Sequence, residues 1–477
     1  MSNGKKGREP ARAQAYAVLA ACACCIFAAV RLGAPVQAGV AGAAAVAALY
    51  AARLGYGWKD IEVAVGRRIG DLCGTMLIMW MIGFLLGSML YSGLLPMLVR
   101  YGFDLVRPRW LYLGAMAACM VMSTATGSSW SAAGTAGVAC IAIAHGHGWA
   151  DMAVVAGAAV CGSVFGDKLS PVSETTNLAP ACAGTDLYSH IRAQLWTTVP
   201  AVTVAAAVFL FLGVRDYEAG GAAAGTGTML AIQGQLDMLY RWHWALLLPL
   251  ALLLVLSIRR VPAVPSMAAS SVLNLLLGRI VQGTPLGTGL SACVNGFRTS
   301  MIAPEGMEIH AKVAYVLDRG GMASMVSIIL ICFCGFSMTA VLDMSGVMHR
   351  AVEPLSKSVG SRWQAMLTAE IATLVMAMLA GISYMGSVFV GDAWGGIFDE
   401  HGMGRPCLSR TLEDVGTCCT AVIPWCSSAA FFSSTLDVPV WGAGGFAPFT
   451  FLPFLCPAIA FLLAVLGVGL YGEQKGA

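Results

Sequence analysis

Long apolar stretches follow one another along almost the whole chain. A helix that crosses a membrane needs about 20 mostly apolar residues, and stretches near that length recur throughout the sequence. They cover residues 15–31, 36–52, 73–99, 110–125, 132–144, 150–165, 193–213, 242–258, 264–281, 324–344, 363–381 and 446–470. Several are short or interrupted by glycine or serine, which is tolerated at membrane depth only where the segment is buried in protein or lines a cavity. The pattern predicts an all-α polytopic membrane protein with about 10–12 transmembrane helices, some of them discontinuous or re-entrant near the midplane, and it favours transport over anchoring.

Polar segments interrupt this pattern at three places. Residues 53–71 are charged and amphipathic, which predicts a helix along the membrane surface. Residues 215–241 are rich in Gly, Ala and Thr, and residues 282–323 form a further polar stretch. The predicted organisation is a first transmembrane repeat over residues 1–214, a linker over 215–241 and a second transmembrane repeat over 242–477.

Short motifs of the first half recur in the second half at a nearly constant offset of 252–254 residues. The matched pairs are Gly83-Phe84 with Gly335-Phe336, Ser92-Gly93 with Ser345-Gly346, Arg109-Trp110 with Arg362-Trp363, Gly127 and Ser129 with Gly381 and Ser383, and Gly162-Ser163 with Gly416-Thr417. Internal repeats of this kind are a feature of secondary transporters. If each half crosses the membrane an odd number of times, the two copies are inverted, and we expect this arrangement.

Composition removes the soluble alternative. The chain is 58% hydrophobic and 11% charged, whereas soluble domains carry about 25% charged residues. A net charge of +3 is too small to indicate a nucleic-acid partner. Most of the 16 cysteines lie inside apolar runs, where they are expected to pack as small hydrophobic side chains.

The N-terminal segment predicts orientation. Lys5, Lys6, Arg8 and Arg12 precede the first apolar run, and no convincing signal-peptidase site follows it. Because basic flanks stay inside, we expect the first helix to be retained with its N-terminus in the cytoplasm.

The densest polar motif is GDKLSPVSETTNLAP over residues 166–180, which lies between two apolar segments. Its prolines interrupt helical hydrogen bonding and free carbonyl groups, and it adds hydroxyls, an amide and carboxylates, all of them oxygen ligands that suit a small cation. Lys168 beside Asp167 is expected to neutralise that carboxylate. The motif predicts an ion site at a discontinuous helix, although a plain polar loop in water remains the alternative. The candidate residues are Asp167, Ser170, Glu174, Thr175, Thr176 and Asn177.

The second half holds a comparable group of acids and hydroxyls. Asp392 follows Gly391, and LSRTLEDVGT runs over residues 408–417 ahead of Ile423-Pro424-Trp425. Glu413 and Asp414 would point about 100° apart on a helix, so that one could serve an ion while the other pairs with Arg410. The candidates are Asp392, Glu413, Asp414 and Thr417, with a solvated helix end as the alternative.

A third signal is the uncharged run STATGSSWS over residues 123–131. It predicts either a broken helix that offers carbonyl groups or close packing of small residues. Thr126, Ser128 and Ser129 are therefore further site candidates.

Taken in order, TGSSWSAAGT, GDKLSPVSETTNLAP, LSRTLEDVGT and IPW resemble the NhaC family of sodium/proton antiporters over residues 70–460. The resemblance implies an inverted-repeat fold with re-entrant hairpins, no cofactor, a bacterial cytoplasmic membrane and Na⁺ bound at Asp167, Glu174 and Asn177. It also implies Na⁺, H⁺ and lipid as partners, with a homodimer as a further possibility. Glu174 departs from the pattern, since an aspartate is expected within the S-x-T-T run.

The expected activity is exchange of Na⁺ for H⁺ by competition at one buried carboxylate. Similar carriers couple Na⁺ to organic acids such as malate and lactate, so that an organic-acid or amino-acid antiporter stays open; it would need a cationic partner, for which Lys168, Arg298 and Arg410 are candidates. An intramembrane enzyme is the third class. The sequence holds no H-E-x-x-H zinc motif, and the Gly-Asp pairs at Asp167 and Asp392 are only weakly similar to those of intramembrane aspartyl proteases.

Overall fold

The computed structural model describes residues 10–32, 34–71, 73–105, 107–221, 226–259, 261–304, 306–357 and 359–471. Within these ranges all regular secondary structure is helical and no strand occurs, which confirms the all-α prediction. The basic tail with Lys5, Lys6 and Arg8 lies outside the described residues.

The described part of the first half contains eleven α-helices. They are α1 (Arg12–Arg31), α2 (Val36–Arg53), α3 (Trp58–Asp71), α4 (Cys73–Ser92), α5 (Leu94–Leu105), α6 (Leu111–Thr126), α7 (Ser129–Ala132), α8 (Val138–His147), α9 (Met152–Leu169), α10 (Glu174–Ala183) and α11 (Leu187–Asp216). A π-helical turn, Ala133–Gly137, joins α7 to α8.

The rest of the described chain continues in the same manner. Its helices are α12 (Thr226–Leu239), α13 (Leu248–Ile258), α14 (Ala263–Leu277), α15 (Leu286–Asn295), α16 (Ala311–Leu317), α17 (Val326–Met344), α18 (Val347–Ser356), α19 (Arg362–Ala380), α20 (Ser383–Glu400), α21 (Arg405–Thr420), α22 (Ser427–Leu436) and α23 (Leu452–Leu466).

Seven of the described helices are long and apolar enough to cross a membrane, and up to nine spans result if two bent pairs each count as one. The bent pairs turn by 70° between α4 and α5 and by 99° between α12 and α13. Other predicted apolar stretches form shorter pieces, such as α6 with 16 residues, and α7 and α8, which are separated by a π-turn. Long apolar helices beside bent and interrupted ones confirm a polytopic transporter fold with discontinuous helices.

The helix breaks recur in both halves at the repeated glycines. Gly93 precedes α5 with φ of +89°, and Gly346 precedes α18 with φ of +74°. Gly127 ends α6 with φ of +65°, and Gly381 ends α19 with φ of +70°. Only glycine adopts this left-handed conformation without steric cost. The sequence repeat therefore reflects repeated local geometry.

The opening helices of each half pack against the other half. The hairpin of α1 and α2 lies against α17, and the hairpin of α13 and α14 is placed so that α14 packs on α4. Helix α3 also packs along α17 and buries Ile61, while Lys59, Asp60 and Glu62 are exposed. Because helices of each half pack on the other half, the two halves interlock.

The segment predicted as a linker is partly helical. Helix α11 runs to Asp216 and continues as a π-turn, Tyr217–Gly221. Helix α12 then packs against α5, α8 and α16, so that this segment covers one end of the first half.

Candidate functional site

The motif at residues 166–180 forms a tight hairpin between two helices. Helix α9 ends at Leu169, Ser170 is extended, and α10 begins at Glu174. The Ser170 hydroxyl donates to the Thr124 carbonyl of α6 over 2.8 Å. This bond holds the hairpin against the break that follows α6.

The Asp167 carboxylate lies at the start of α7. Its Oδ1 accepts a hydrogen bond from the Ser129 backbone N–H at 3.0 Å and one from the Ser173 hydroxyl at 3.4 Å. Helix N-termini leave backbone donors unpaired and favour a negative charge. The broken helix after Gly127 therefore supplies the group that orients Asp167.

The two threonines of the motif bind the backbone of the same residue. The hydroxyls of Thr175, at 3.2 Å, and Thr176 both donate to the Asp167 carbonyl. The Thr175 hydroxyl also lies 3.1 Å from the Ser173 hydroxyl. Thr176 is buried and stabilises the hairpin, whereas Thr175 and Ser173 line the cavity described below.

Asn177 closes the turn between α9 and α10. Its side-chain amide donates to the carbonyls of Pro171 at 2.9 Å and Ser173 at 2.6 Å. Glu174 is exposed at the first position of α10. Asp167, Glu174 and Asn177 all line one cavity, but the amide donors of Asn177 are engaged in the turn.

Small residues allow α6 and α9 to pack closely behind the site. The Ser123 hydroxyl donates to the Gly162 carbonyl at 2.9 Å and accepts from the Gly166 N–H at 3.0 Å. A Cβ atom at Gly162 or Gly166 would overlap atoms of α6. Both predicted roles of the 123–131 run, close packing and a helix break, are thus present.

Two of the predicted acids of the second half, Glu413 and Asp414, lie on α21 and are buried. The Thr417 hydroxyl donates to Glu413 Oε1 at 2.8 Å. Asp414 accepts from the Lys168 ammonium and, at 3.0 Å, from the Thr197 hydroxyl of α11. Glu413 and Asp414 do diverge, as their adjacency predicts.

Two expected ion pairs are wrong. Lys168 pairs with Asp414 rather than with Asp167, and its side chain is completely buried. Arg410 donates instead to the Gly469 carbonyl at 3.2 Å and to the Cys407 sulfur at 3.3 Å. Neighbouring positions on a helix point about 100° apart, so Lys168 faces α21 while Asp167 faces α7.

A cavity of about 700 Å³ lies where the broken helices of both halves meet. Among the described residues, its charged side chains are Asp167 and Glu174, and no lysine, arginine or histidine lines it. Its polar lining comprises Thr126, Ser128, Ser129, Ser131, Ser173, Thr175, Asn177, Ser257, Ser266, Ser383, Thr417, Thr420, Ser427 and Ser428. The first and second halves therefore contribute to one site.

Some predicted site residues lie away from this cavity. Asp392 is exposed on α20 and is not among the lining residues. Ser170 and Thr176 are buried in the hairpin, and Glu413 and Asp414 lie behind Thr417. The carboxylates that line the cavity are therefore Asp167 of α9 and Glu174 of α10, and hydroxyls from both halves lie beside them.

Other lining residues were missed from the sequence. Ser427 and Ser428 begin α22, and the repeat offset of 253–254 residues already relates them to Glu174. Trp130 lines the cavity and stacks on Phe431 of α22, with ring centroids 4.9 Å apart. Thr197 is one of three threonines of α11, and nothing in the sequence marked it as the partner of Asp414.

Comparison with known proteins agrees with this architecture. The model of the Na⁺/H⁺ antiporter family matches residues 162–468. An uncharacterized Na⁺/H⁺ antiporter of Haemophilus influenzae is 32% identical over 89% of each chain, and the Na⁺/H⁺ antiporter NhaC of Alkalihalophilus pseudofirmus is 32% identical over 90% of each. A malate-2H⁺/Na⁺-lactate antiporter of Bacillus subtilis is 29% identical over 88% of this chain and 87% of its own. The chain is a multi-pass membrane protein that belongs to the Na⁺/H⁺ antiporter family.

Proposed function

We propose that this protein exchanges Na⁺ for H⁺ across the bacterial cytoplasmic membrane, with Asp167 as the group that both ions share. The observation that carries the proposal is the charge of the cavity: among the described residues its lining holds two carboxylates, many hydroxyls and no cationic side chain. Such a lining favours a small cation over an anion.

The ligands available for Na⁺ are hard oxygens around Asp167. The carboxylate of Asp167, the hydroxyls of Ser173 and Thr175, and the carbonyl end of α6 at Thr126 all border the cavity. Unwound backbone carbonyls coordinate Na⁺ in other transporters. Glu174 and Asn177 would complete the set from the α10 side, with the Asn177 amide oxygen as its ligand atom.

Competition follows from the chemistry of one carboxylate. A proton on Asp167 removes the negative charge that a sodium ion needs, and a bound sodium ion opposes protonation. Lys168 cannot supply that charge balance because Asp414 holds it on α21. Transported Na⁺ and H⁺ are the ions that the site requires, without a cofactor.

Alternating access would come from the breaks that meet at the cavity. The α6–α7 and α19–α20 breaks and the α10 and α22 helices all border it. Movement of one half against the other would open the cavity to either side in turn. We expect a cytoplasmic N-terminus and a possible homodimer. We also expect residues 1–214 and residues 242–477 to form two repeats that are inverted relative to each other.

Exchange of an organic acid is the second candidate. A volume of about 700 Å³ far exceeds that of one sodium ion, and the amide ends of α10, α20 and α22 border the cavity. Helix N-termini bind substrate carboxylates in transporters, and the malate/lactate antiporter is a relative. Lys168 and Arg410 do not line the cavity, so recognition would rest on these helix ends. An aspartyl protease has no comparable support, because Asp392 is exposed and does not line the cavity that Asp167 borders.

The test uses a pH-sensitive dye in inside-out vesicles energised by respiration. Sodium chloride is added without any organic solute, and vesicles that lack the protein are the control. Dequenching that depends on the protein supports Na⁺/H⁺ exchange. Dequenching that requires malate, lactate or an amino acid would replace the first proposal by the second.

A further inference from the structure

A second line of polar side chains runs away from the cavity between α19 and α21. On α21, Arg410, Asp414 and Thr417 follow at i, i+4 and i+7, which places them on one face over about 10 Å. On α19, Glu370 and Thr373 form a matching pair at i and i+3. Helices α19 and α21 pack together, so that these two polar faces meet inside the protein.

Several polar atoms along this line are buried without a hydrogen-bond partner among the described residues. They are Thr373 Oγ1, Glu370 Oε1, Asp414 Oδ2 and Arg410 Nε. Buried polar groups in proteins are almost always satisfied, and ordered water supplies the partners that the protein does not. A concentration of such atoms at one helix interface therefore indicates internal water.

The line extends from the cavity towards a partly exposed segment of the protein. At the cavity end, Thr373 lies beside Gly416 of α21, and Gly416 lies near the carbonyl of Ser383, which lines the cavity. At the other end, Arg410 donates to the carbonyl of Gly469, in the partly exposed segment that follows α23.

Charge identifies the group on this line that can change its protonation. Lys168 and Asp414 neutralise each other and Glu413 bonds to Thr417, whereas the buried positive charge of Arg410 has no ion-pair partner among the described residues. Glu370 is 8% exposed and interacts electrostatically with Arg410 and Asp414. Buried charges are costly unless balanced, so an ionised Glu370 balances Arg410, while a protonated Glu370 avoids repulsion from Asp414.

We propose that Glu370 is a second proton-binding site, reached through water between α19 and α21 and separate from the sodium cavity. The proton moves between the Glu370 carboxyl and the water chain, and no other bond changes. Sodium in the cavity raises the positive potential near Thr417 and so promotes release of this proton. The inference rests on the proposed Na⁺/H⁺ exchange and adds a second transported proton for each sodium ion.

The other polar and charged groups near Glu370 are less suited to bind and release a proton. Arg410 is a guanidinium, which in proteins carries a fixed positive charge and only donates hydrogen bonds. Asp414 is held by Lys168 and Thr197, and Cys407 and Cys419 of α21 are buried thiols. Glu370 is the one carboxyl of this interface, among the described residues, whose side chain accepts no hydrogen bond at Oε1 and pairs with no ammonium.

The test compares proton and sodium movements in proteoliposomes. Glu370→Gln keeps the size of the side chain but cannot be ionised, and Glu370→Asp restores a carboxylate. Glu400→Gln, an exposed glutamate at the end of α20, is the matched control. For each protein, Na⁺/Na⁺ exchange of radioactive sodium and the number of protons moved per sodium ion are measured.

We expect Glu370→Gln to keep Na⁺/Na⁺ exchange, to move roughly half as many protons per sodium ion, and to lose sensitivity to membrane potential. Glu370→Asp and Glu400→Gln should resemble the wild type. An unchanged proton count in Glu370→Gln overturns the inference, and so does loss of both exchanges without rescue by aspartate. A wild type that moves sodium without protons would refute the proposed function itself.

A second measurement needs no variant. A hydrophobic carbodiimide reacts with protonated buried carboxyls, and mass spectrometry locates the modified residue. Modification of Glu370 should decrease as the pH rises and should be reduced only in part by Na⁺, whereas modification of Asp167 should be prevented by Na⁺. Absence of any modification at Glu370, or its complete protection by Na⁺, contradicts a separate proton site.

Discussion

Asp167 and Lys168 are neighbours in the chain but serve different parts of the molecule. Asp167 accepts the Ser129 N–H at the start of α7 and borders the cavity. Lys168 is completely buried against Asp414 of α21. The divergence leaves a carboxylate free to bind an ion while its basic neighbour joins the two halves.

At this scale we predict that Lys168→Met lowers the stability of the protein by about 3–5 kcal/mol, because it leaves the Asp414 charge buried without a partner. The double variant Lys168→Met with Asp414→Leu should recover most of this loss, since no unpaired charge remains. The measurement is the apparent free energy of unfolding in detergent.

An exposed ion pair provides the control for this experiment. Arg405 and Asp399 lie 2.6 Å apart, with side chains 36% and 51% exposed. Removing an exposed pair costs about 0–1 kcal/mol, so Arg405→Met should leave stability nearly unchanged. A Lys168→Met variant as stable as Arg405→Met would contradict a structural role for the buried pair.

At the scale of elements, broken helices create the site. Gly127 ends α6 in the left-handed conformation and lets α7 begin beside Asp167. A Cβ atom on Gly127 would lie 2.8 Å from backbone atoms of Val172 and Ser173. The break and the α9–α10 hairpin therefore fit together through a glycine that no other residue can replace without displacement.

We predict that Gly127→Ala weakens apparent Na⁺ affinity about tenfold, which corresponds to about 1.4 kcal/mol, because α7 shifts away from Asp167. Gly184→Ala is the matched control, since Gly184 also ends a helix with φ of +76° but has open space around its Cβ position. Both variants carry the left-handed strain of about 1–2 kcal/mol. The Na⁺ dependence of transport separates them; equal affinities would contradict the role of the Gly127 contact.

At the scale of the whole molecule, the sequence predicts where helices begin and end better than it predicts which helices pack against each other. Long apolar helices and the glycine breaks at two of the five repeated motifs follow from local physics, and the structure shows both. The packing of α1 and α2 on α17 was not predictable, because every apolar helix face is an acceptable partner for another. Interlocking of the halves emerges only in the folded chain.

The same limit applies to the site. Its first-half part could be predicted because oxygen donors are concentrated in one motif at a helix break. The Lys168–Asp414 pair joins positions 246 residues apart. Local spacing instead favoured Asp167 as the partner of Lys168, and Arg410 as the partner of Glu413 or Asp414. Glu370 gave no signal, since a single acid in an apolar helix does not reveal which charges will surround it.

The most direct test of the central claim is calorimetric titration of the purified protein with Na⁺ over a range of pH. Competition of one proton with one sodium ion at Asp167 raises the apparent Kd for Na⁺ by up to about tenfold for each unit by which the pH falls, and release of a second proton from Glu370 would add to this dependence. Asp167→Asn should abolish Na⁺ binding while the protein stays folded. Wild-type Na⁺ affinity in Asp167→Asn with the same pH dependence would contradict the account.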